Sequence, residues 1–155
     1  MNAMTPKRGS APVGYVTELD PVETRAVLYL RLWCDGPGSQ AKVWNEMATQ
    51  LGPKRGRAAL KAFERLCDLC VQHGRRPLVR HPVACTCVGA DESCFATFIG
   101  YASEGQQEDA LLIATTIVRP DMAPSLVRLA QEFGLALRQM SSTPKHRISK
   151  PSRLH

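Results

Sequence analysis

The chain has 155 residues, of which 44% are hydrophobic, 22% charged and only 6% aromatic, with a formal net charge of +6. That is the size and make-up of one globular domain, which excludes a disordered or fibrous chain and leaves few rings for stacking single-stranded nucleic acid. No apolar run nears the ~18 residues of a membrane span, and Met1 to Asp20 lack the apolar stretch of a secretory signal, so a cytoplasmic protein without a membrane partner is expected.

The excess charge lies at the ends. Lys7 and Arg8 precede the body, and Lys145, Arg147, Lys150 and Arg153 follow it, whereas 11–140 is neutral. Both ends are rich in Pro, Ser, Thr and basic residues and have little to bury. The expected organisation is therefore a disordered basic tail over 1–15, a single domain over 16–140, and a second disordered basic tail over 141–155. Within the body, 53–80 is predominantly basic and 91–121 predominantly acidic, a pattern that suits two halves facing each other.

Asp20-Pro21-Val22-Glu23 has the form of a helix start, with Asp as N-cap, Pro at the first position and Glu closing a capping box. The run from Ala26 to Cys34 is apolar except for Arg31, so this helix should be largely buried; Gly36-Pro37-Gly38 ends it. Ser39 can cap a second helix, whose Val43, Met47 and Leu51 recur at four-residue steps before Gly52-Pro53. A third helix is expected from about Lys54 to His73, with Leu60, Phe63, Cys67 and Cys70 on one stripe. Prolines at 77 and 82 make 75–90 an irregular loop.

Asp91 can cap a fourth helix carrying Phe95, Phe98, Ile99 and Ala102, with Asp91 and Glu92 read as surface charge complementing its dipole. Residues 107–118 suit a helix by their charges and a strand by their β-branched content; with every neighbour helical, helix is preferred. Pro120 closes it, and a last helix opens at Asp121 or Ser125 with Leu126, Ala130, Phe133, Leu137 and Met140 on one face. Five or six helices with short joints predict a compact all-α bundle.

The six cysteines carry the chemistry. Cys34 belongs to the apolar run of the first helix and reads as core. The other five fall between Cys67 and Cys94 in the order C-x2-C, C-x-C, C, with His81 four residues before Cys85. A soft cation must collect several thiolates at about 2.3 Å. Cys67 and Cys70 share a helix face about 5–6 Å apart, Cys85 and Cys87 lie in a foldable loop, and Cys94 sits near a helix N-terminus. The expectation is a zinc site, or alternatively an iron–sulfur cluster, with Cys67, Cys70, Cys85, Cys87, Cys94 and His81 as candidate ligands. The excess of ligands leaves room for a redox role for a spare thiol. The reading without metal is a helical adaptor whose cysteines fill core.

Met47-Ala48-Thr49-Gln50-Leu51-Gly52 resembles the middle of a helix-turn-helix DNA reader, with a basic helix after it. That resemblance covers about twenty residues and implies a metal- or redox-sensing DNA-binding regulator in which Arg55, Arg57 and Lys61 meet DNA. It departs from the pattern at Pro53, Gly56 and Lys61. No phosphate loop, dinucleotide fingerprint, nucleophile elbow or zinc-protease motif is present, and an enzyme is not expected. The leading reading is a metal-binding interaction or regulatory module with a protein partner.

Overall fold

The first helix begins where its capping box requires. Asp20 Oδ1 accepts the Glu23 N–H at 2.8 Å and Glu23 Oε1 accepts the Asp20 N–H at 3.2 Å, opening α1 (Pro21–Cys34). The computed structural model describes residues 8–142 and continues with α2 (Pro37–Leu51) and α3 (Pro53–His73). After a loop come α4 (Ala90–Ser103), α5 (Gln107–Ile117), a 3₁₀ turn at Pro120–Met122 and α6 (Ala123–Ser141). The expected all-α bundle is the observed architecture, and 107–117 is helical. α2 starts two residues before Ser39, which instead donates to Asp35 Oδ2 at 2.6 Å. Among the described residues no helix is long and apolar enough to cross a membrane.

α4 is the central element, packed against α1, α5 and α6. Its apolar residues point to several sides, as expected of a helix buried all round. Phe63 of α3 stacks on Phe133 of α6 with ring centroids 4.5 Å apart, and Trp33 of α1 meets Phe63 edge-on at 5.4 Å. Gly134 lies within α6, where glycine costs about 1 kcal/mol relative to alanine. A Cβ there would sit 2.8 Å from Ser103 Cβ and 3.1 Å from the Ile99 carbonyl, so the missing side chain lets α6 cross α4 closely.

The tail expected over 1–15 divides. Residues 1–7 lie outside the described residues, as do 143–155 of the C-terminal tail. Residues 8–15 form a 3₁₀ turn (Arg8–Ser10) and a strand, β1 (Pro12–Tyr15). β1 pairs antiparallel with β2 (Cys87–Gly89), Pro12 opposite Gly89 and Tyr15 opposite Cys87, with a bulge between Pro12 and Gly14. Residues 75–86 are irregular, as expected, β2 is the only strand within 75–90, and Ala90 already belongs to α4.

Asp91 and Glu92 are buried rather than on the surface, and they organise this loop. Arg31, the single charge in the apolar run of α1, donates from Nε and Nη2 to the two Glu92 oxygens at 2.7 and 2.8 Å. Its remaining N–H groups reach the carbonyls of Cys87 and Cys85, both at 2.7 Å, and of Val83 at 3.4 Å. Glu92 also accepts the N–H groups of His81 at 2.9 Å and Gly89 at 3.0 Å. Arg76 closes a second clamp, donating twice to Asp91 at 2.7 Å, while the Val79 N–H donates to the same carboxylate at 2.7 Å. Arg76 thus meets a carboxylate of its own chain, one point at which the basic and acidic halves face each other.

Burial pushes the Glu92 carboxyl up, but hydrogen bonds from Arg31, Gly89 and His81 outweigh it and hold the group below its ordinary range. Asp91 follows the same pattern, with burial overcome by Arg76 and the Val79 N–H. Both carboxyls are therefore depressed on folding. Their stabilisation is complete above the unfolded values of about 4 and is lost as pH falls through the folded ones.

Removing one partner of a buried ion pair costs about 3–5 kcal/mol. Arg31→Met should lower the unfolding free energy by about that amount in urea at neutral pH. The wild-type urea midpoint should drop steeply below about pH 4, and Glu92→Gln should flatten that drop. An unchanged midpoint in Arg31→Met would show that the pair does not hold the loop.

Candidate thiol site

The loop held by Arg31 and Glu92 carries a cysteine and a histidine in contact. The Cys85 N–H donates to the Pro82 carbonyl at 3.0 Å and closes a turn over 82–85. That turn sets Cys85 Sγ 3.5 Å from His81 Nδ1. On the other side of the ring, His81 Nε2 lies 2.8 Å from the Ser10 carbonyl oxygen. A carbonyl only accepts, so Nε2 carries the hydrogen, and Nδ1 faces the sulfur as acceptor when neutral and donor when protonated. A thiol, a base and a group that orients the base stand in line, the arrangement that activates a nucleophile.

The electrostatics follow from the same contacts. The Cys87 N–H donates to the Cys85 sulfur and is the largest influence lowering its pKa. The His81 hydrogen bond adds to it, and the charges of His81 and Arg31 act in the same direction. His81 is raised, first by its bond to the Ser10 carbonyl and then, against the effect of burial, by Cys85 and the Glu92 charge. The thiol is held below its ordinary value and the imidazole above.

Gly89 is part of this geometry. A Cβ there would lie 2.9 Å from His81 Nε2 and 3.1 Å from Cδ2, so the ring rests on a backbone without a side chain. Ser10 belongs to a segment that the sequence assigns to a disordered tail. It reaches the site because β1 pairs with β2 and the Ala90 N–H donates to the Ala11 carbonyl at 2.9 Å.

The other expected ligands lie elsewhere. Cys67 and Cys70 line a cleft between α1, α3 and the loop, where burial pushes the Cys67 thiol well up and that of Cys70 up to about 12. Cys87 sits in β2, its carbonyl on Arg31. Cys94 is the fifth residue of α4, and burial raises its thiol against a hydrogen bond with Thr116. Among the described residues no three His, Cys, Asp or Glu side chains form a group that could hold a metal ion. Cys34, expected in the core, is exposed: α1 ends at that residue, which lines the open cleft with Cys67 and Cys70.

Arg55, Arg57 and Lys61 are exposed on α3, where the Arg57 guanidinium lies 5.9 Å from the centroid of the Trp44 ring on α2. No protein-family model, no curated protein and no solved structure matches this chain.

Alkylation of the intact protein, followed residue by residue by mass spectrometry, should show Cys85 reacting at lower pH than Cys34 or Cys70. Its inflection should lie below the ordinary thiol value of about 8.5, and both His81→Ala and Gly89→Ala should move it upward. A Cys85 inflection at or above the ordinary value would contradict the geometry.

Proposed function

We propose that this chain is a small cytoplasmic regulatory protein whose reactive group is the Cys85 sulfur, and that reversible oxidation there alters the face its loop offers to a protein partner. The observation that supports this most directly is the fixed line from Cys85 Sγ through His81 to the Ser10 carbonyl. A partly exposed thiol whose pKa is lowered by a neighbouring imidazole is the environment in which cysteine reacts selectively with oxidants.

The chemistry needs a hydroperoxide and a thiol reductant. The Cys85 thiolate attacks one peroxide oxygen, forming an S–O bond as the O–O bond breaks. The departing oxygen takes the proton from the His81 imidazolium and leaves as water or an alcohol. A thiol then condenses with the sulfenic acid, releasing water and leaving a disulfide, which a second thiol reduces. The oxidised sulfur no longer carries the charge that His81 and the Cys87 N–H bond, so the turn over 82–85 loses two of its contacts. The change falls in the loop that Arg31 ties down through the Cys85 and Cys87 carbonyls.

The zinc and iron–sulfur readings need three or four donors at one point, and the expected ligands are spread over three places. The DNA-binding reading rests on the exposure of Arg55, Arg57 and Lys61, a property that an ordinary solvated helix face shares.

Treating the full chain with limiting hydrogen peroxide in the presence of dimedone should label Cys85 before any other cysteine. His81→Ala should slow that labelling about tenfold or more, as loss of a proton donor does, and Cys85→Ser should abolish the early adduct. First labelling at Cys34, or equal labelling of all six thiols, would refute the assignment.

A further inference from the structure

A second concave feature of the loop region includes neither Cys85 nor His81. It is a cleft of about 360 Å³ between α1, α3 and residues 74–80. Its floor is made by Leu30, Leu66 and Phe95, all buried, and its walls include Cys67 and Cys70. Burial keeps those two thiols in the neutral form, so they act as apolar lining. The volume falls in the range of sites for small molecules.

The rim has the opposite character. Arg75, Arg76 and Arg80 all line the cleft and all are exposed. Arg76 is neutralised by Asp91. Arg75 donates from Nε to the Thr115 carbonyl at 2.6 Å, and Arg80 reaches the Cys34 carbonyl at 3.4 Å. Neither has a carboxylate partner among the described residues. Two uncompensated guanidiniums therefore border an apolar floor. Guanidinium forks match planar carboxylates, and a charge-assisted bond of that kind is about twice as strong as a neutral one.

We infer that this cleft binds a small amphipathic carboxylate, its hydrocarbon part on Leu30, Leu66 and Phe95 and its head group between Arg75 and Arg80. A cationic head would be repelled by the rim, and a neutral one would gain no charge-assisted bond from either guanidinium. The site stands apart from the thiol reading, and either can fail without the other.

Octanoate serves as the probe, with 1-octanol as the uncharged control, on the full chain. Calorimetry should show saturable one-to-one binding of octanoate and at least severalfold weaker binding of the alcohol. Bound octanoate should slow alkylation of Cys34 and Cys70 while leaving Cys85 unaffected. The double variant Arg75→Gln, Arg80→Gln, altered only at exposed positions, should weaken octanoate binding about tenfold or more and leave the alcohol unchanged. Cys34→Trp, which adds bulk at an exposed position lining the cleft, should abolish binding of both. Absence of saturable octanoate binding, equal affinity for the alcohol, or full octanoate affinity in the double arginine variant would each overturn the inference.

Discussion

Arg31 and Glu92 are withdrawn from water, and every polar atom on both side chains has a partner. The guanidinium spends two of its donors on the carboxylate and the others on the carbonyls of residues 83, 85 and 87. The carboxylate takes the N–H groups of residues 81 and 89 with its remaining capacity. A buried pair of this kind stabilises a fold only when such additional bonds satisfy both ions. Here those bonds all fall on one loop, so the ion pair supplies to an irregular backbone the anchoring that a helix or sheet supplies to a regular one.

The thiol site is a consequence of that anchoring. Backbone groups of His81, Cys85 and Cys87 are fixed on the pair, and the positive charge that binds the carbonyls also lies behind the sulfur. Arg76 and Asp91 fix the beginning of the same loop to the same helix N-terminus. The adjacent carboxylates that open α4 thus serve two different clamps, because successive residues in a helix point in different directions. The cleft beneath residues 74–80 is bounded by this arrangement as well, since Arg76, which lines it, is fixed on Asp91 of α4.

The helices were legible because their signals are local. The capping box at Asp20, the four-residue spacing of Val43 and Met47, and the stripes of α3 and α6 each lie within a few turns of chain. What escaped the sequence is made of contacts across long separations. Arg31 meets Glu92 across 61 positions, and Ser10 meets His81 across 71. A lone arginine in an apolar run, and two acids in the first turn of an apolar helix, were the visible traces of the pair, but each alone also describes ordinary surface charge. The cysteine spacing drew attention to the right segment. It suggested a common centre because spacing along an irregular loop says nothing of direction, and the fold sends Cys67 and Cys70 toward a cleft, Cys85 toward His81, and Cys94 toward Thr116.

The claim on which the rest depends is that the ion pair, rather than the loop's own sequence, holds residues 81–89 in place. Amide hydrogen exchange of His81 and Gly89 in the intact protein addresses it directly, since both N–H groups donate to Glu92. Their exchange should be as slow as that of amides in the middle of α4, reporting an opening close to global unfolding. Exchange at the rate of an unprotected loop would mean that the carboxylate does not hold these amides in solution, and the thiol site built on them would lose its foundation.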